Sequence, residues 1–489
     1  MSHNHQNERA PLLSNGSSSS PNSHEERHLL EFSKEDESNP RNWSEWKKLT
    51  NIAVIASMSI LSPLASSMFA PGTEQIAKSL NTATEGVIGC QTGFVVMLGI
   101  GPLILAPLSE TFGRKPLYLV CFTIFTLIQI PTALAKSLPV LITMRTIAGF
   151  FGSIGIANGG GTISDMYAPS ERAGIFGWYL LGPLLGPTIG PLLGAIILDN
   201  LPWPWLFWIL LMICSVAVLS AYFFLRETYV PAILATRKKA LEAENNTSYF
   251  YQNEDLRPLP IKLTQSIKRP LLILFTQPIV ITMALYQALL FAITYSMYTQ
   301  FQSIYGGLYN FTTLQVGLTY LGPGLGFLTA VWFLVPRIGT LYNALTRKHN
   351  NTPKPEYRLP LANIGSVLIP LSLFTFAWTT EYHDHIHFMV PVTATFFYGI
   401  GQVAIFNAVQ NYYIDAFEKY AASAIAAGSL FRSVVGGVVP VFTGGLLERV
   451  GMGWGFSVFG FVSLVLAPSP VLFYWYGEGL RERFRIELD

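Results

Sequence analysis

Residues 101–116 read GPLILAPLSETFGRKP, an apolar run that closes into a short charged turn before a second apolar run begins. Gly101 allows close helix approach and Gly113 a sharp turn. Glu110 sits one helical turn before Arg114, so acid and base can pair across the loop and hold two helices in one of two arrangements. The flanking apolar stretches are about 20 residues long, the length that crosses a hydrocarbon core. The same alternation continues in both directions. Spans are predicted near 50–70, 86–108, 117–135, 138–163, 174–197 and 203–225, then near 278–302, 316–338, 359–380, 387–411, 421–447 and 453–475. The expected fold is all-α and integral to the membrane, with twelve transmembrane helices in two six-helix halves. Around them lie a disordered cytoplasmic N-tail (1–49), a cytoplasmic linker (226–277) and a cytoplasmic C-tail (476–489).

Composition agrees with this reading. The chain has 489 residues, 51% hydrophobic and 12% charged, about half the roughly 25% charge of soluble domains. A net charge of +2 offers no field for nucleic acid. Cys90, Cys121 and Cys214 all fall in apolar stretches, which excludes a disulfide framework or a metal cluster and leaves them as packing residues. His383, His385 and His387 share a short loop and read as solvated rather than metal-binding. No metal and no cofactor is expected, and no GxxxxGK[ST] phosphate loop is present. The polar N-terminus lacks the plan of a cleaved signal peptide, so the first span serves as the insertion signal.

Lysine and arginine placement sets the orientation, because cytoplasmic loops retain these residues. With twelve spans and the N-terminus inside, the inner segments hold 26 of the 31, and the outer side holds only Lys78, Lys136 and Arg449. Arg145 and Arg432 remain within the membrane. Both termini are therefore expected in the cytoplasm, and one span fewer would scramble the asymmetry. Within the N-tail, Glu8 with Leu12-Leu13 and Glu25 with Leu29-Leu30 match acidic dileucine sorting signals, although chance accounts for them equally well. Asn310-Phe-Thr312 is a glycosylation sequon on a short outer loop.

The 101–116 stretch resembles the loop 2–3 signature of the major facilitator superfamily, in the GPLxxAPLSExxGRxP form of fungal drug:proton antiporters, with Glu110 at the usual aspartate. Other stretches agree: NPRNW at 39–43, WPWLFW at 203–208, Arg226-Glu227-Thr228, Arg269-Pro270, FAWT at 376–379 and NYYIDAFEKYAASAIAAGSLFR at 411–432. Arg145 lies five to eight residues below the outer face, where a charge is a functional hypothesis by default. Gly149 and Gly152 follow on the same helix face. This resembles the span 4 motif in which the arginine is associated with proton coupling; the alternative is a structural arginine capping carbonyls. Asp165 and Arg172, in DMYAPSERAGIFG, are expected to join the Glu110–Arg114 network. In span 5, Gly182, Gly186, Gly190 and Gly194 form a stripe accompanied by Pro183, Pro187 and Pro191. It looks like the family's antiporter signature, which its importers generally lack, and is the main reason to expect export. A purely structural packing stripe is the alternative.

A central cavity needs polar and aromatic groups at membrane depth. Tyr286, Gln287, Tyr295 and Tyr298 on span 7 and Gln402, Asn407, Gln410 and Asn411 on span 10 supply them, either as substrate contacts or as bridges between helices. Arg432, near the middle of span 11, faces either the cavity or a partner helix. No Asp or Glu falls in the middle of any span, which argues for neutral or anionic apolar substrates and leaves the proton carrier unassigned. The resemblance implies a monomeric secondary efflux transporter in the lipid bilayer that exchanges an amphipathic organic compound for protons. Its membrane is expected to be the plasma membrane, with the vacuolar membrane as the alternative. A polyamine exporter and a transporter-like membrane sensor are the competing readings; an enzyme is not expected, since no catalytic cluster is visible.

Overall fold

The computed structural model describes residues 28–33, 36–245, 248–251, 257–417 and 420–484, with the backbone alone at 28, 169, 170, 172–174, 176, 177, 180 and 245. Among these residues, eleven helical segments are long and apolar enough to cross a membrane. The last, Ala421–Arg483, has 63 residues and would extend about 95 Å at 1.5 Å per residue, some three times a hydrocarbon core. It is two spans. Gly451 breaks it with φ 80° and ψ 168°, a backbone state that side chains resist. The Glu381 carboxylate at the end of span 9 accepts the Gly453 N–H at 2.8 Å and so caps the restart. The count is therefore twelve.

Spans 1 to 6 are Glu45–Ser67, Thr84–Phe112, Arg114–Ala133, Leu138–Gly152 continued by Ile154–Met166, Pro169–Asn200 and Pro204–Phe224. Spans 7 to 10 are Pro278–Phe301, extended by a π-helical turn Gln302–Leu308; Thr313–Thr319 with Leu321–Phe333; Ala362–Glu381; and Met389–Ala416. Span 11 opens the helix Ala421–Leu466, and span 12 follows Gly451 and runs on into Ser469–Arg483. Several helices overrun the expected boundaries by a few residues, because helical hydrogen bonding continues into the polar interface where hydropathy has already fallen.

Two large hydrophobic cores form, one from residues 43–225 and one from residues 273–473. Each six-helix set thus packs mainly on itself. Large apolar side chains such as Val216, Leu219, Phe223, Leu371 and Phe442 stay exposed on the outside, a surface that suits acyl chains and not water.

Two expectations about the polar segments change. Residues 28–33 and 36–49, read as part of a disordered tail, carry defined structure. His28–Leu29 pairs in parallel with Tyr249–Phe250 of the linker, Asn39 accepts the Arg41 N–H ahead of the short turn Pro40–Asn42, and span 1 begins at Glu45. Residues 1–27, with the first dileucine and the acidic residue of the second, lie outside the described residues. The linker holds two helices, Val230–Asn245 and Leu259–Thr276. The expected tail beyond 475 begins inside the helix Ser469–Arg483, and residues 485–489 lie outside the described residues.

Candidate functional site

On the side that carries the termini and the linker, loop 2–3 is a single residue. Gly113 turns the chain with φ 96°, and Arg114 starts span 3. That leaves the first N–H groups of the helix without internal acceptors. Glu227, just after span 6, supplies them: its two carboxylate oxygens accept the Arg114 N–H at 2.9 Å and the Lys115 N–H at 3.0 Å. A carboxylate at a helix N-terminus also meets the positive end of the helix dipole. The Arg114 side chain is buried and its Nε donates to Asp165 at 3.4 Å; Thr228 donates to the same oxygen at 3.2 Å. Glu110 stands farther off, 3.9 Å from Arg114, with its side chain 55% exposed. The expected pair exists, but the close partners of this clamp are Asp165 and Glu227. The Arg172 side chain lies outside the described residues.

Arg145 is 1% exposed. Its Nη2 donates to the Ala65 carbonyl of span 1 at 2.7 Å, while the guanidinium lies over Phe94 at 4.4 Å, Phe69 at 4.9 Å and Phe207 at 5.7 Å. Its Nε and Nη1 have no acceptor. An arginine at a helix centre costs about 2.5–3.5 kcal/mol on insertion scales, an upper bound for Arg145 in the outer half of span 4; the three ring faces and one carbonyl offset part of that. Gly149 and Gly152 make the enclosure: Gly149 packs on the Phe94 backbone and Gly152 on Ser62 and Phe125, with no room for a side chain. Gly101 likewise packs against Ser153, where the two segments of span 4 meet.

The span 5 stripe lies on span 1. Gly182 faces Ala56 and Ile60, Gly186 faces Ile60 and Pro63, Gly190 faces Leu64 and Ser67, and Gly194 meets the Met68 carbonyl. Each glycine advances one turn along span 1, so the two backbones touch over four turns, with Pro187 between the second and third glycines.

Hydrogen bonds join the halves away from the terminal side. The Ser66 and Tyr295 hydroxyls lie 3.3 Å apart, those of Thr188 and Tyr298 3.1 Å apart, and Thr92 donates to the Gly437 carbonyl at 2.7 Å. Among the described residues, no ion pair crosses from one half to the other on the terminal side.

The cavity candidates separate into two groups. Tyr286 is enclosed and bonds Ser366 of span 9 at 3.4 Å. Gln402 accepts from Thr294 at 3.0 Å, and Asn407 donates back to its own helix at Val403. These contacts stay within the second half. Gln287 is fully buried with neither amide atom hydrogen-bonded, and Gln410 is half-buried. Tyr295 instead reaches the first half through Ser66, and its ring lies 6.2 Å from Phe291. Arg432 caps that ring at 4.6 Å and Phe406 at 5.0 Å. Asn310 is exposed at φ 56° on the far side.

Residues 55–440 match the model of the Major Facilitator Superfamily. The chain belongs to that superfamily. The transporter is 39% identical over 454 residues to the MFS-type transporter penM of Penicillium rubens, covering 91% of this chain and 88% of that one. It is 35% identical over 460 residues to the efflux pump radE of Floropilus chiversii, covering 93% and 85%. Its fold matches the xylose transporter XylE of E. coli in a partially occluded inward-open conformation, with TM-score 0.64 at 14% identity over 88% of this chain and 98% of that one.

The transporter also holds a second clamp that the sequence reading missed. On the terminal side, Arg358 of loop 8–9 pairs with Asp415 at the end of span 10 at 2.7 Å and lies over the Tyr342 ring at 3.8 Å. Glu356, 2% exposed, takes Arg481 of the last helix at 3.3 Å. The second half carries no acidic copy of the loop 2–3 motif, so pattern comparison finds nothing there. The available signal was the basic and acidic pair Glu356 and Arg358 in a loop of only 13 residues between the helices ending at Lys348 and beginning at Ala362.

Proposed function

We propose that the transporter exports an amphipathic organic compound, such as a secondary metabolite, toxin or drug, in exchange for protons by alternating access. The carrying observation is the position of Arg145. Its hydrogen bond goes to Ala65 of span 1, and the next residue, Ser66, makes the contact with Tyr295 that joins the halves. An arginine keeps its proton at physiological pH, so Arg145 acts through its fixed charge: protonation nearby raises the cost of that buried cation and loosens span 1 from the opposite half. The span 5 stripe on span 1 and the efflux function named for radE support the outward direction. The absence of a mid-span carboxylate weighs against polyamine cargo. The transporter acts as a monomer in the plasma membrane with both termini cytoplasmic, and the exposed Asn310 sequon is its glycosylation site.

The test is efflux of a compound panel from proteoliposomes under an imposed proton gradient. Export that collapses on adding a proton uncoupler is expected. Uncoupler-insensitive export would sink the exchange mechanism, and no transport of any compound would favour a sensor.

A further inference from the structure

Arg432 sharpens the cargo class, on the basis of the transport reading above. It lies near the middle of span 11 and is only half-buried. Phe291, beneath it, packs on Gly436 and continues through Tyr295 to Ser66 of the first half. The arginine is therefore linked through two rings to the seam between the halves. Phe291 and Phe406, whose rings are 6.3 Å apart, fix the plane of the guanidinium. One donor is used, Nη2 to the Ser429 hydroxyl at 2.9 Å. Nε and Nη1 are buried without an acceptor.

Among the described residues no carboxylate pairs with this cation; the ionisable groups that act on it are the phenols of Tyr295 and Tyr413. Arg145 makes the useful contrast. Its Nε and Nη1 are equally unpaired, but three rings close it in and it is 1% exposed, whereas part of the Arg432 side chain remains exposed. We propose that Arg432 receives the anionic group, a carboxylate or acidic enol, of an otherwise apolar ring-bearing cargo. Nε–H lies on one edge of the guanidinium beside Nη2, and that edge matches the paired oxygens of such an anion when Nη2 turns from the Ser429 hydroxyl to the cargo. The faces of Phe291 and Phe406 take the ring system. Inorganic anions would leave those faces unused.

The probe is 1-naphthoate, with 1-naphthamide as its uncharged isostere, titrated calorimetrically into the full-length transporter in detergent. Naphthoate should bind at least about tenfold more tightly than the amide, the scale of one charge-assisted hydrogen bond. R432Q should erase that preference, and R432K should reduce it by keeping the charge while losing the planar fork. Equal binding of acid and amide, binding of neither, or a preference unchanged in R432Q overturns the assignment. If R432Q fails to fold, an unchanged preference in R432K does the same. Failure of the export reading is distinguishable: naphthoate would still bind through Arg432 while no compound moved.

Discussion

The two halves solve the same mechanical problem with different chemistry. Each ties an arginine in or beside the loop before its third span to an acid at the terminal-side end of its fourth span, Arg114 to Asp165 and Arg358 to Asp415. Each then ties that loop to its sixth span. In the first half the acid, Glu227, comes from the segment just after span 6 and caps backbone N–H groups. In the second half the acid, Glu356, comes from the loop and the cation, Arg481, from span 12. The arginines at membrane depth also differ, Arg145 sealed and Arg432 partly exposed. What repeats is the position of the linkage, not the residue types. Any complementary pair at these points holds three spans together, so the sequence is free to drift while the mechanics stay fixed.

The largest expected effect is Arg145→Ala, predicted to abolish efflux while the protein still inserts. Membrane-fraction abundance beside proteoliposome transport checks it, and retained transport would make Arg145 purely structural. Next is the first-half clamp. Asp165→Asn leaves the buried Arg114 with only the more distant, exposed Glu110 as a charge partner; breaking a buried pair is a class of change that costs about 3–5 kcal/mol. Because Cys90, Cys121 and Cys214 are free and buried, a thiol-reactive dye reports unfolding directly, and the midpoint should fall by several degrees.

Asp415→Asn should cost less, on the order of 1 kcal/mol, since its pair with Arg358 is 20% and 24% exposed and solvent screens it. Equal losses at 165 and 415 would break the comparison. The charge swap of Arg358 and Asp415 should restore the second clamp.

The smallest effect concerns the docked tail. The Ser38 hydroxyl and N–H, together with Arg237 at 2.7 Å, hold the Asp36 carboxyl down to about 2 from an ordinary 3.8. A lowered folded-state value means the contribution is fully present above pH 3.8 and is lost as pH falls through about 2. Proteolysis of the tail should therefore be unchanged between pH 7 and 4, while Asp36→Asn should accelerate it at neutral pH. Equal rates for the two proteins would show that the strand pairing alone docks the tail.

The span count, the loop 2–3 turn and the depth of Arg145 were legible because hydropathy, glycine and isolated charge are local signals. The clamp partners were less so. Asp165 was expected to take part, yet Glu227 was only one residue of a familiar stretch, because its role depends on two backbone N–H groups 113 and 112 positions earlier. The cavity candidates were chosen by polarity and depth, which do not reveal which way a helix is turned. Tyr286 and Tyr295 are nine residues apart on one helix, yet the first binds span 9 and the second reaches the other half.

The sequence by itself determined a polytopic helical membrane protein, its family resemblance and its two arginines at membrane depth, since the bilayer imposes length, apolarity and charge rules that any single segment must obey. Only the tertiary structure decided where span 11 ends at Gly451, which acid meets which base, and which arginine is sealed and which is partly exposed. Those depend on the rotation of each helix about its own axis, and that is fixed by contacts between residues far apart in the chain.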